Sequence, residues 1–104
     1  MTAALLSPAA RRDLLGAVRW IAQDNPSAAR ALRDALVRAT VRIGEFPDQG
    51  SFRPELAEES YRFIALTGFP YIIIYNAARR PPLILRFLHG ARDLPDILSG
   101  LQHK

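Results

Sequence analysis

Ile84-Leu85-Arg86-Phe87-Leu88 is a short apolar run with an arginine at its centre, and it opens directly into His89-Gly90-Ala91-Arg92-Asp93. Burying an unpaired charge among hydrophobes costs several kcal/mol, so Arg86 requires a partner. Tyr61-Arg62-Phe63-Ile64 repeats the pattern, and Tyr71-Ile72-Ile73-Ile74-Tyr75 lies between the two. Aromatic and β-branched enrichment predicts strands over Tyr61 to Thr67, Tyr71 to Asn76 and Leu83 to His89. The intervening Gly68-Phe69-Pro70 and Ala77 to Pro82 are too short for crossover helices, so the three strands are expected to be antiparallel.

Upstream, the hydrophobic period is helical. Ser7-Pro8 reads as an N-cap with proline at the first helical position, and Leu14, Val18 and Ile21 follow at helical spacing, predicting a helix over about 8 to 23. Asp24-Asn25-Pro26 repeats the stop and start chemistry, and Leu32, Leu36 and Ile43 mark one face of a second helix reaching about Phe46. Pro47-Asp48-Gln49-Gly50 ends it, and the segment to Ser60 reads as an irregular, partly acidic connection. Thr2 to Ser7 offers a weak fourth strand, and Leu94-Pro95-Asp96-Ile97-Leu98 a short terminal helix capped by Asp93. The expected fold is therefore α+β: an N-terminal helical hairpin packed on a three- to four-stranded antiparallel sheet, with a short C-terminal helix.

Ile72 and Ile74 point to one sheet face and Tyr71, Ile73 and Tyr75 to the other, so both faces are apolar. One helical hairpin covers one face, and the second is expected to stay partly exposed as a partner site. In a simple meander Arg62 and Arg86 fall on the same face, two strand spacings or roughly 9 to 10 Å apart. They then either reach a shared anion or each pair internally with a carboxylate or carbonyl.

A chain of 104 residues, 49% hydrophobic and 23% charged, fits a single domain over 1–104 with one core. It carries no apolar run near the roughly 18 residues of a membrane helix and no secretory leader pattern, so an intracellular protein with no membrane role is expected. The absence of cysteine excludes disulfides, thiolate metal sites and thiol nucleophiles. Neither a metal nor a cofactor is expected. The net charge of +4 comes almost wholly from arginine, with Lys104 the one lysine. Arginine suits bidentate contacts to carboxylate or phosphate, which points to an acidic protein or a nucleic acid, although a general bias toward arginine codons gives the same count. Arg30, Arg33, Arg38 and Arg42 lie off the apolar face of the second helix and read as a solvated surface. His89 before Gly90 reads as a strand-end hydrogen-bonding residue or a proton-transfer group. Tyr61, Tyr71 and Tyr75 read as half-buried sheet residues.

In combination, the helix hairpin joined by Asp24-Asn25-Pro26, Phe46-Pro47 with Gly50, Arg53-Pro54-Glu55-Leu56, Tyr61-Arg62, Tyr71 to Tyr75 and Leu85 to Asp93 resemble the RelE/ParE toxin superfamily, and ParE most of all. The resemblance runs from about Leu5 to Leu98. It implies a cytoplasmic bacterial toxin of a type II toxin-antitoxin module, held in a hetero-oligomer by an antitoxin similar to ParD and touching operator DNA only through that antitoxin. The arginine-bearing apolar surface is then the expected antitoxin or target contact, with Arg62, Arg86, His89, Arg92, Tyr71 and Tyr75 as candidates.

Two activities occur in the superfamily. Messenger-cleaving members need a group to activate the 2′-hydroxyl, a donor for the leaving oxygen and cations at the phosphorane; the resemblance aligns Arg62 and Arg86 with phosphate-binding arginines, and His89, the only histidine near them, is then the candidate for proton transfer. Lysines that such nucleases commonly carry between the second helix and the sheet are absent. The favoured expectation is thus the ParE-like one, a protein inhibitor of DNA gyrase with no catalytic residues of its own. The alternatives are a ribosome-dependent ribonuclease and an inactive relic that retains antitoxin binding.

Overall fold

A computed structural model describes residues 2–52 and 60–91. Helices α1 (Pro8–Ala22) and α2 (Pro26–Glu45) pack on a mixed sheet of β1 (Leu5–Leu6), β2 (Ser51–Phe52), β3 (Tyr61–Ala65), β4 (Tyr71–Asn76) and β5 (Leu83–His89), in the order β1-β5-β4-β3-β2. The α+β hairpin-on-sheet architecture is as expected, but the strand count rises to five and the sheet is not purely antiparallel. The weak N-terminal strand forms, running parallel to β5 through Leu5–Leu83 and Leu6–Ile84. The helical hairpin itself is the crossover that lets the chain return in the opposite sense. Ser51–Phe52, within the connection read as irregular, adds the other edge against Phe63 and Arg62. The expected terminal helix at Leu94 to Leu98, with Asp93 and Arg92, lies outside the described residues, as does Arg53 to Leu56.

Cap chemistry sets the helix boundaries. The Ser7 hydroxyl accepts from Ala10 N at 3.0 Å, the Asn25 side chain accepts from Ala28 N at 3.1 Å, and a proline follows each cap. Such caps are each worth about 1 kcal/mol. Ala10, Leu32, Leu36 and Ile43 then meet Tyr71, Ile73, Tyr75, Ile84 and Phe87 in the main core, with Leu14, Ala17 and Ile21 packed against it. Gly44 lets the N-terminal segment cross α2, because a Cβ there would lie 2.1 Å from Thr2 O. Gly16 is different: within α1 its Cβ would meet nothing within 4 Å. A glycine inside a helix costs about 1 kcal/mol relative to alanine.

The second sheet face is closed at its centre and half-buried at its rim. Phe63, Ile74 and Leu88 are 5%, 0% and 3% exposed, forming a second apolar cluster with Tyr61, Ile72 and Leu85 packed round it. The centre of this face is therefore not an open apolar surface.

Candidate functional site

The outer edge of β5 is satisfied by a succession of groups from the N-terminal segment. After β1 ends, Ser7 N donates to Ile84 O at 2.9 Å and the Ser7 hydroxyl donates to Leu85 O at 2.9 Å. One turn into α1, the Asp13 carboxylate accepts from Phe87 N at 3.1 Å. The same carboxylate takes both Arg86 Nε and Nη2, at 2.7 and 2.8 Å. A serine and an aspartate therefore extend the ladder that β1 begins, which protects an edge otherwise open to pairing with another chain. Asp13 was not among the residues singled out from sequence. Its signal was an acid one position before Leu14, on the inward side of α1, in a chain whose β5 carries an arginine among hydrophobes.

Arg62 has a separate set of partners. Its Nη1 donates to Asp48 O at 3.0 Å and Gly50 O at 2.6 Å, and Nη2 stands 3.6 Å from the Asp48 carboxylate. The guanidinium carbon lies 3.8 Å from the centroid of the Phe52 ring. Beside it Tyr75, fully buried, donates to Pro47 O at 2.6 Å and accepts from Gly50 N at 3.0 Å. Burial pushes the Tyr75 phenol above its ordinary value, opposed by the Gly50 hydrogen bond and the Arg62 charge. Gly50 has no room for a side chain, since a Cβ would sit 2.7 Å from the Tyr75 hydroxyl. Arg62 and Tyr75 thus clamp the loop that leaves α2.

The two arginines do not share a face. Directly opposed residues point to the same side of a sheet; Arg62 opposes Tyr75 and Arg86 opposes Ile74, which are neighbours on β4 and point opposite ways. The pairing register decides this, and a one-residue difference in register reverses it. A bulge between Ile74 and Tyr75 then inserts Leu85 beside Arg86 and turns the β5 edge toward Asp13. His89 opposes Tyr71 and meets its ring edge-on, with centroids 5.6 Å apart. Arg62 and His89 therefore occupy opposite ends of β4, four residues or about 13 Å apart along the strand. Tyr71, 6% exposed, stacks on Phe87 with centroids 4.8 Å apart. Both Tyr71 and Tyr75 are core residues, more deeply buried than the half-buried setting expected of them. Arg30, Arg33, Arg38 and Arg42 are exposed on α2, as expected of a solvated surface. Among the described residues no cluster of metal-ligating side chains occurs, and no helix is long and apolar enough to cross a membrane.

Nine chains of solved structures are similar to this chain. One of them, from the chromosomal ParDE TA system of P. aeruginosa, superposes with a TM-score of 0.71 over 86% of this chain and 96% of its own, at 19% identity. That likeness establishes the fold. No curated protein matches. The family model described as ParE toxin of type II toxin-antitoxin system, parDE, matches residues 4–94. That span takes in β1, the helical hairpin, both arginine-bearing strands and His89, and the chain belongs to the ParE toxin family of type II toxin-antitoxin systems.

Proposed function

We propose that this chain is a stoichiometric inhibitor of DNA gyrase, neutralised by a cognate antitoxin similar to ParD. The observation that supports it over messenger cleavage is the separation of Arg62, Arg86 and His89. A phosphorane needs cations and a proton-transfer group converging within hydrogen-bond reach of one phosphate. Here Arg86 is held by Asp13, Arg62 by Asp48 and Gly50, and His89 stands at the far end of β4 from Arg62. Both guanidiniums serve the fold first, one locking α1 to β5 and the other the α2 exit loop. Family membership supports an antitoxin partner, and the chain's charge of +4 suits an acidic one.

The test compares targets. Purified toxin, freed of antitoxin, is expected to abolish supercoiling of relaxed plasmid by gyrase and to leave messenger on programmed ribosomes intact. Codon-specific messenger cleavage with supercoiling unaffected would select the ribonuclease reading, and activity in neither assay, with antitoxin still bound, the relic.

A further inference from the structure

We infer that the outward face of α1 carries a recessed anchor site, centred on Gly16, for an acidic segment of the antitoxin. The segment's backbone crosses Gly16 and places one large apolar side chain between Trp20 and the Tyr71–Phe87 stack. This rests on the antitoxin reading above and adds where and how the partner is held.

Four observations converge. First, Gly16 answers no need of its own chain. Gly44 and Gly50 each have a side-chain position occupied by backbone or by Tyr75, Gly90 has Ile72 at 3.0 Å, and Gly68 has φ +86, whereas a Cβ on Gly16 meets nothing. A helix interior disfavours glycine unless another backbone approaches closely. Second, the missing side chain opens a notch of about 260 Å³, bordered by Arg12, Asp13, Ala17 and Trp20 and reaching Tyr71 and Phe87. Its size suits a single aromatic or leucine side chain. Third, Trp20 is 65% exposed and Leu15 53%. Exposed tryptophan beside a cavity is the composition of a binding hot spot. Fourth, Arg12, Gly16 and Trp20 form one row along the helix, and Arg11, Leu15 and Arg19 form the row beside it. The one acid on α1, Asp13, stands at the floor of the notch with its carboxylate bound by Arg86 and Phe87 N. With the Asp13 carboxylate paired in this way, the exposed charges of α1 are all arginines, Arg11, Arg12 and Arg19, which repels a second copy of this chain and attracts an acidic segment.

Trp20 is the chain's one tryptophan, so it reports on the site directly. Toxin labelled with 5-fluorotryptophan gives a single ¹⁹F resonance, to be followed during titration with the antitoxin encoded beside it; affinities are measured for the wild type, Gly16→Ala, Gly16→Gln and Trp20→Ala. The expected result is a shifted Trp20 resonance, with affinity lowered at least several-fold by Gly16→Ala and about 30-fold or more by Gly16→Gln and by Trp20→Ala. Gly16→Ala is expected to raise the toxin's own Tm, so weaker binding cannot be assigned to a damaged fold. Tight antitoxin binding by all three variants, within threefold of wild type, overturns the anchor site and leaves the antitoxin reading standing. Failure of the wild type to bind antitoxin overturns both. A shift produced by a single-stranded oligonucleotide and not by antitoxin assigns the notch to nucleic acid and overturns the inference as well.

Discussion

Asp13 and Arg86 form a bidentate pair, 2.7 and 2.8 Å, in which the same carboxylate also accepts the Phe87 amide at 3.1 Å. One side chain thus neutralises the guanidinium of β5, continues the sheet edge beyond β1 and fixes the first turns of α1. The pair is only partly buried, with side chains 14% and 26% exposed, so its loss is cushioned by water. Asp13→Ala is expected to cost about 2 kcal/mol, the scale of a charge-assisted hydrogen bond left unmade. Urea denaturation of Asp13→Ala, Arg86→Ala and the double variant checks this. Additive effects, with no coupling between the two sites, would show that the pair contributes nothing as a pair.

Tyr75 makes a prediction with a sign in pH. Its folded-state pKa is raised above the ordinary tyrosine value of 10.0, chiefly by burial. The neutral phenol is therefore favoured by folding, and its contribution is fully present below about pH 10 and lost as pH rises through the higher folded value. Tyr75→Phe removes the bond to Pro47 O and leaves Gly50 N without its acceptor, costing about 1 to 3 kcal/mol at neutral pH. Thermal melts of wild type and Tyr75→Phe from pH 7 to 11 should converge at the alkaline end. A constant gap across that range contradicts the assignment.

Two glycines should respond to alanine with opposite sign. Gly50→Ala forces a Cβ against the Tyr75 hydroxyl at 2.7 Å and the Arg62 Cβ at 3.0 Å, and is expected to destabilise by about 1 to 3 kcal/mol. Gly16→Ala meets no atom and is expected to stabilise α1 by about 0.5 to 1 kcal/mol. Differential scanning calorimetry of the two free variants measures both, and a destabilised Gly16→Ala would show that the helix is strained there.

His89→Gln keeps hydrogen-bonding capacity and removes the titrating group. A general acid or base lost from an enzyme costs about 10²- to 10⁴-fold in rate, whereas an inhibitor loses little. Induced expression of the folded variant, checked by circular dichroism, is expected to arrest growth as the wild type does. Loss of all toxicity would favour the ribonuclease.

The helices and the three main strands were legible because each boundary is local chemistry: Ser7-Pro8, Asn25-Pro26 and the Gly68 turn are read from neighbours in sequence. The arginines were legible as anomalies, but their partners were not. Asp13 lies 73 residues before Arg86, and Arg62 meets main-chain carbonyls of the loop at Asp48 and Gly50, which carry no sequence signature. Sheet register was equally hidden. Arg62 and Arg86 share a face in one register and face apart in the next, and the turn that sets the difference spends an extra residue in a bulge at Leu85. Trp20 and Gly16 were missed because a glycine in a helix reads as a mild defect until the space above it is known.

An inhibitor that acts by binding is distinguished from an enzyme by its stoichiometry. The most direct measurement is the yield of cleaved plasmid when toxin is titrated against gyrase at several gyrase concentrations. A stoichiometric inhibitor gives a half-maximal toxin concentration that rises in proportion to gyrase, and antitoxin added in equal amount restores intact DNA. Cleaved plasmid that never appears, together with messenger destroyed by toxin at a small fraction of the ribosome concentration, would instead identify a ribonuclease that turns over.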